Sequence, residues 1–314
     1  MSAVPMPGPR TPAGGERSAS WYEASARTRV RLLLDPNSFL EFLGPELREV
    51  SPHLRLFDLP EQFDDGIIVG RGRIEGSPVF VAAQEGRFMG GAFGEVHGAK
   101  LTGLLRAARD LGSIPVLILF DTGGVRLQEA NAGELAIAEI MRAVLEARTA
   151  GVKVVGLIGG RSGCYGGGGL IAGCCSALAV SEQGRIAVSG PEVIETNRGV
   201  EEFDSRDRAL VWRTMGGKHR RLLGGADAFS DDTVQDFRRA ALELLGLGAE
   251  FGIEVLQAEQ ARLEERLQRF GSCMDAVDIW TAEGVPEAGS IPALPADQFI
   301  SLADKVRRPD RDAR

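Results

Sequence analysis

Residues 114–124 read Ile-Pro-Val-Leu-Ile-Leu-Phe-Asp-Thr-Gly-Gly. The apolar run Ile114–Phe120 has the length of a strand and shows no polar face. Strands of this kind are covered on both sides, as in parallel sheets flanked by crossover helices. Asp121-Thr122-Gly123-Gly124 then makes a turn at the strand's carboxyl end, where α/β folds place their ligands. The pattern recurs immediately. A helix with Leu135, Ala138, Met141 and Leu145 as its expected buried stripe leads to a second apolar run, Val152–Ile158. A second glycine loop, Gly159–Gly169, follows, and then an apolar helix through Cys175. Strand, glycine loop and helix, twice over, predict an α/β fold.

Outward from this centre, Trp21–Phe42 carries a helical pattern broken at Asp35-Pro36-Asn37, with Ser38 as the next cap. Gly66–Ile74 and Pro78–Gln84, separated by Glu75-Gly76-Ser77, predict a hairpin. The loop Met89–Gly94 opens a helix with Leu101, Leu104, Leu105, Ala108 and Leu111 on one face. Toward the carboxyl end a short strand is expected at Arg185–Ser189, with helices over Asp204–Thr214 and Asp231–Leu245. In Glu250–Phe270, charged residues alternate with Ile253, Leu256, Leu263 and Leu267, giving a solvated cover or an oligomer contact. The expected organisation is a disordered leader over 1–20, one domain over 21–285 and a flexible tail over 286–314.

Composition narrows the function classes. The 314 residues include 41 glycines, about twice the usual fraction, without a collagen-like period or a linker tract. Net charge is −8 and no basic stripe is interleaved with aromatics, so nucleic acid is a poor partner. No apolar run is long enough to span a membrane, and Met1–Ser20 lacks the apolar segment of a secretion signal. Four cysteines without a Cys-x-x-Cys pair, and three histidines, give neither a metal site nor a disulfide framework. Free thiols fit a reducing cytoplasm.

The two glycine loops carry the chemistry. Glycine lets a ligand approach the backbone and lets successive N–H groups converge on one point. At a helix start, the unpaired N–H groups and the helix dipole add positive potential. Two such loops on adjacent strands can form an oxyanion hole, or they can simply permit tight turns. Neither loop holds the lysine of a phosphate-binding P-loop, and Gly70-x-Gly72 lacks the third glycine of a dinucleotide fingerprint. Cys164 has no histidine beside it in sequence and reads as a small packing residue rather than a nucleophile. His97 is a candidate proton donor or a helix-start contact. Lys100 and Arg126 are candidate anion contacts. Glu192 is an acid/base candidate or a solvated turn carboxylate.

Asp121-Thr122-Gly123-Gly124-Val125-Arg126-Leu127-Gln128-Glu129 resembles the Asp-Ser-Gly-Gly-Ala-Arg-Leu-Gln-Glu motif of the carboxyltransferase β subunits of acyl-CoA carboxylases. Met89–Gly94 with Gly98 and Lys100, the Gly166–Gly169 run and Ser189–Glu195 extend the resemblance over about Gly66–Leu245. Within that group the chain is most similar to β subunits of biotin-independent malonate decarboxylases. It lacks the four-cysteine zinc ribbon usual in bacterial acetyl-CoA carboxylase β subunits.

The resemblance implies a crotonase-like (ClpP/crotonase) fold of repeated ββα units with helical N- and C-terminal additions. It implies a malonyl thioester substrate carried on the phosphopantetheine-type, dephospho-CoA-derived arm of an acyl carrier protein, or on CoA, with neither metal nor biotin. Expected partners are a homologous γ subunit, the acyl carrier protein and its transferase. Loss of CO₂ leaves an enolate that backbone donors can stabilise. By the resemblance, Gly166 and Gly167 supply those donors, with Gly123 and Gly124 as second contributors. Gly90, Gly91 and Arg126 line the groove for the arm. Rival expectations are a biotin-dependent carboxyltransferase subunit, an enoyl-CoA hydratase and a non-catalytic thioester-binding scaffold. Hydratases of this fold carry a carboxylate directly after the glycine run, where this chain has Leu170-Ile171.

Overall fold

The structure, a computed structural model, describes residues 19–59, 66–248 and 250–306. Val116–Phe120 is a strand with every residue buried. Side chains alternate across a strand. Val116, Ile118 and Phe120 therefore enter one hydrophobic cluster, and Leu117 and Leu119 enter another on the opposite face. The two clusters are the two layers that cover the sheet.

From the amino end come α1 (Ala26–Leu33), β1 (Leu40–Glu41), α2 (Pro52–Leu56), the hairpin β2 (Ile67–Ile74) and β3 (Ser77–Gln84), and α3 (Glu95–Leu111). The central run is β4 (Val116–Phe120), α4 (Asn131–Thr149), β5 (Val154–Ile158), β6 (Cys164–Tyr165), α5 (Gly167–Cys174), β7 (Ala177–Ser181), β8 (Ile186–Ala187) and α6 (Pro191–Arg198). Beyond it lie α7 (Arg208–Met215), α8 (Gly217–Leu222), β9 (Ala228–Ser230), α9 (Val234–Gly246), α10 (Ile253–Phe270), α11 (Ala276–Ala282) and α12 (Ala296–Val306).

The main sheet has seven strands in the order β1-β2-β3-β4-β5-β7-β9. It is antiparallel through β3 and parallel from β3 onward. β6 and β8 pair in parallel as a small second sheet. Isolated bridges at Phe93–Val125 and Thr122–Cys164 continue that second layer toward β3 and β4. β5–β6–α5 and β7–β8–α6 are thus two copies of one ββα unit. One face of the main sheet is covered by α3 and α4 through Leu101, Leu105, Ile137, Ile140 and Val144. The other is covered by α1 and α9 through Val30, Leu33, Phe237 and Leu244.

Several expectations need correction. Ser38 caps no helix, because Leu40–Glu41 pairs with β2 as an edge strand. α4 buries Ile137, Ile140, Val144 and Ala147, while Leu135 and Leu145 are exposed. Its sequence carries two apolar stripes, and the one with β-branched residues lies against the strands. β7 and β9 add to the expected strands, since two such short segments carry too few residues to show a period. The tail is not flexible over 288–306: Ile291 and Phe299 are fully buried, and Phe299 meets Phe229 of β9 at 4.6 Å. Residues 307–314 lie outside the described residues, as do residues 1–18 of the expected leader. Its last residue is anchored, since Ser20 Oγ donates to Asp232 at 2.6 Å. α10 has no buried residue, which agrees with a cover or contact helix.

Two outcomes follow from this packing. Trp21, fully buried, stacks on Phe237 at 4.0 Å. Phe237→Ala should cost about 3–5 kcal/mol in chemical denaturation, with the slope unchanged. A loss below about 1 kcal/mol would mean that this stack does not hold the N-terminal segment. The second concerns His219, buried under α11, whose Nδ1 accepts from Trp280 Nε1 at 3.2 Å. Desolvation first, then Arg220 and Arg266, lowers its pKa from 6.5 to about 3. The folded protein keeps this ring neutral while the unfolded chain protonates it below about 6.5, so stability falls as pH drops from there toward 3. In His219→Gln, the melting temperature should decline less steeply over that window than in the parent. Equal slopes would show that His219 carries none of the acid sensitivity.

Candidate active site

Three turns stack at the carboxyl ends of β3, β4 and β5. Phe93 N–H donates to Gly124 O at 2.8 Å, Arg126 N–H to Phe93 O at 2.9 Å and Gly123 N–H to Gly90 O at 2.8 Å. These bonds fasten 89–94 to 122–126. Thr122 N–H donates to Gly163 O at 2.8 Å and Tyr165 N–H to Thr122 O at 3.0 Å, fastening the third turn. A Cβ on Gly166 would lie 3.3 Å from Gly124 Cα. Gly90 and Gly123 are exposed and Gly166 half-buried, so the turns present a strip of bare backbone.

The donors divide sharply. Gly166 caps α5 at φ 57°, ψ −129°, a conformation that favours glycine, though Ala130 holds a similar one (φ 48°, ψ −131°) at the start of α4. Among the described residues, neither its N–H nor that of Gly167 has an acceptor. Both belong to the positive end of α5, where the helix dipole favours negative charge. Gly167 also serves packing, since a Cβ there would overlap Ile137. Gly123 and Gly124 do not match their expected role. The Gly123 N–H is engaged by Gly90 O, and the Gly124 N–H by Thr122 Oγ1 at 3.1 Å.

The side chains expected beside the glycines mostly lie behind them. His97 is fully buried, 3.2 Å from Gln84 Nε2 and 4.9 Å from the Phe93 ring. That burial fits a structural contact in α3 and does not favour the alternative of a proton donor. Arg126 is buried in an ion pair with Glu129 at 3.1 Å and lies over the Phe88 ring, so it braces the turn rather than clamping a solvent-borne anion. Lys100 donates to Ile67 O at 3.3 Å, at the start of β2. Gly91 is buried, and a Cβ there would overlap the Asp121 carbonyl oxygen, so it serves close packing. Gly90 alone of this group stands open. Cys164 is fully buried and burial pushes its thiol pKa well up, so it supplies no thiolate nucleophile. Glu192 is an exposed carboxylate in the first turn of α6.

What the sequence did not single out is the support beneath. Asp121 accepts from Ser162 N–H at 2.7 Å and from Arg29 Nη1 at 2.8 Å, and its own N–H donates to Gln84 Oε1 at 3.1 Å. An acidic residue directly after an unbroken apolar strand was the one visible signal.

The carboxyl transferase domain family matches residues 23–216. Malonyl-S-ACP:biotin-protein carboxyltransferase MADC of Malonomonas rubra is 37% identical over 309 residues, covering 92% of this chain and 96% of the relative. A subunit of the Pseudomonas malonate decarboxylase hetero-tetramer, solved with malonate, superposes with a TM-score of 0.76 at 39% identity, covering 85% of this chain and 98% of that one. Transcarboxylase 12S superposes at 0.59 with 26% identity, over 70% of this chain and 40% of its own. The sheet, the repeated ββα unit and the glycine turns agree with these likenesses: the chain belongs to the carboxyl transferase domain family, with its crotonase-like fold.

Proposed function

We propose that this chain is the β-type subunit of a malonate decarboxylase, which converts a malonyl thioester on an acyl carrier protein to the acetyl thioester and CO₂. The observation that carries this is the pair of unengaged N–H groups at Gly166 and Gly167, opening a helix beside bare backbone at Gly90 and Gly123. When the C–C bond to the carboxylate breaks, its electron pair moves into the thioester and charge collects on the thioester oxygen. Two N–H donors at a helix N-terminus stabilise that oxygen more in the transition state than in the ground state, which is what accelerates the step. No side-chain nucleophile takes part. In this reading water supplies the proton that quenches the enolate. The phosphopantetheine-type arm, or CoA, runs along Gly90 and Gly123.

The likeness to subunits of a hetero-tetramer and a hetero-dimer of malonate decarboxylase supports partner subunits. So do Leu127, just after the 121–126 turn, and Leu135 on α4, large apolar side chains that stand exposed. The partners in this reading are a homologous γ subunit, the acyl carrier protein and its transferase, all in the cytoplasm. Among the described residues no helix is long and apolar enough to cross a membrane.

A second reading has its own support. The Malonomonas rubra relative is a carboxyltransferase to a biotin protein. The same two donors would serve it, with the carboxyl group passing to biotin instead of leaving as CO₂. The two readings separate in one assay of this chain co-expressed with its partner subunits. CO₂ release from malonyl thioester without biotin, insensitive to avidin, supports decarboxylation. Transfer to biotin without free release supports the alternative.

Gly166→Ala forces a side chain into a left-handed conformation and turns the N–H away. Turnover should fall about 10²–10³-fold, the usual cost of one oxyanion donor. A folded variant with full turnover would remove Gly166 from the donor set.

A further inference from the structure

Arg29 lies on α1, behind the sheet, yet its guanidinium ends at the glycine turns. Its side chain is 1% exposed and that of Asp121 4% exposed, with 2.8 Å between Nη1 and Oδ2. Arg29 Nε also donates to Trp21 O at 2.8 Å and Nη2 to Tyr22 O at 3.4 Å. The other carboxylate oxygen of Asp121 holds Ser162 N–H in the third turn. A Cβ at either Gly86 or Gly160 would collide with this carboxylate. The main chain of Asp121 is fixed by Gln84 and packs against Gly91. Four chain segments are therefore moulded around one charged group. The next residue, Thr122, is bonded to Gly163 and Tyr165, immediately before the donor Gly166.

We infer that Arg29 is a positioning residue, which through Asp121 fixes the 121–124 and 160–166 turns in the relative place that the oxyanion donors require. Neither member of the pair reaches the bare strip at Gly90, Gly123 and Gly166, so neither touches substrate. A carboxylate is a stronger acceptor for Ser162 N–H than a neutral group. Buried without Arg29, the Asp121 charge is uncompensated and the turns move to rehydrate it. The consequence for turnover rests on the function proposed above. The hold on the turn does not, and it can be read without substrate.

The exposed Arg161 lies one residue before the anchored Ser162 N–H. In the co-expressed complex, Arg29→Met should lower kcat about 10²-fold with little change in KM, as a misplacement of about 1 Å does. It should also open trypsin cleavage after Arg161, a bond that the anchored Ser162 N–H should protect in the parent. Arg29→Lys, which keeps the charge, should restore part of kcat and of the protection. A folded Arg29→Met with parental kcat, or with Arg161 still protected, overturns the inference. So does a rise in KM with kcat intact, which places the pair on substrate binding. If Arg29→Met does not fold, the double variant with Asp121→Asn buries no lone charge. Turnover and cleavage at Arg161 are then measured on it instead, and a parental value of either again overturns the inference. If the parent complex proves inactive, the function proposed above fails while the protection at Arg161 still decides the positioning role.

Discussion

A single carboxylate, buried where the central strand ends, sets the terms for everything around the glycine turns. Removing a charge from water is costly unless it is paired and its remaining lone pairs are bonded. Asp121 meets that condition with a guanidinium on one oxygen and a backbone N–H on the other. The solution dictates its neighbours: a fully buried arginine from the N-terminal helix, and glycines wherever the carboxylate or its carbonyl leaves no room for a Cβ. Part of the glycine enrichment thus serves the packing of a charge. Within the turns, Gly90 and Gly123 are exposed and Gly166 is half-buried.

The molecule accordingly separates scaffold from chemistry. Charged and polar side chains near the turns, Arg126 with Glu129 and Gln84 with His97, are buried and engaged with one another. In the function proposed, the groups that meet the ligand are peptide N–H groups at the start of α5. A site built from main chain cannot be altered by rotating a side chain, and its precision depends wholly on how the turns are held. Three stacked turns, cross-bonded through Phe93, Thr122 and Tyr165, supply that rigidity.

How much of this could be read from the chain depended on how local each cause was. β4, β5 and the β2–β3 hairpin are legible because unbroken apolar runs and a turn signal are properties of adjacent residues. The face of α4 is not, because two apolar stripes fit the same helical period and only the sheet chooses between them. Gly166 could be singled out as a glycine before a helix. Yet whether an N–H is free or taken, the difference between Gly166 and Gly123, depends on Gly90, a residue on another turn. The Arg29–Asp121 pair spans 92 positions, and nothing within Thr28–Leu33 marks that arginine as distinct from Arg27 or Arg31.

The anchoring of the N-terminal segment has a consequence in time. Trp21 and Tyr22, whose carbonyls orient Arg29, are fixed by Phe237 and Asp232, more than two hundred positions later. As the chain leaves the ribosome, Arg29 emerges early, Asp121 later, and the residues that lock Arg29 in place last of all. The parallel β4–β5–β7–β9 sheet imposes the same order, since β9 closes it from the far end. Contacts of such sequence separation form slowly, after the entropy of closing long loops has been overcome. A nascent or truncated chain can therefore carry every glycine of the turns and still lack their working arrangement.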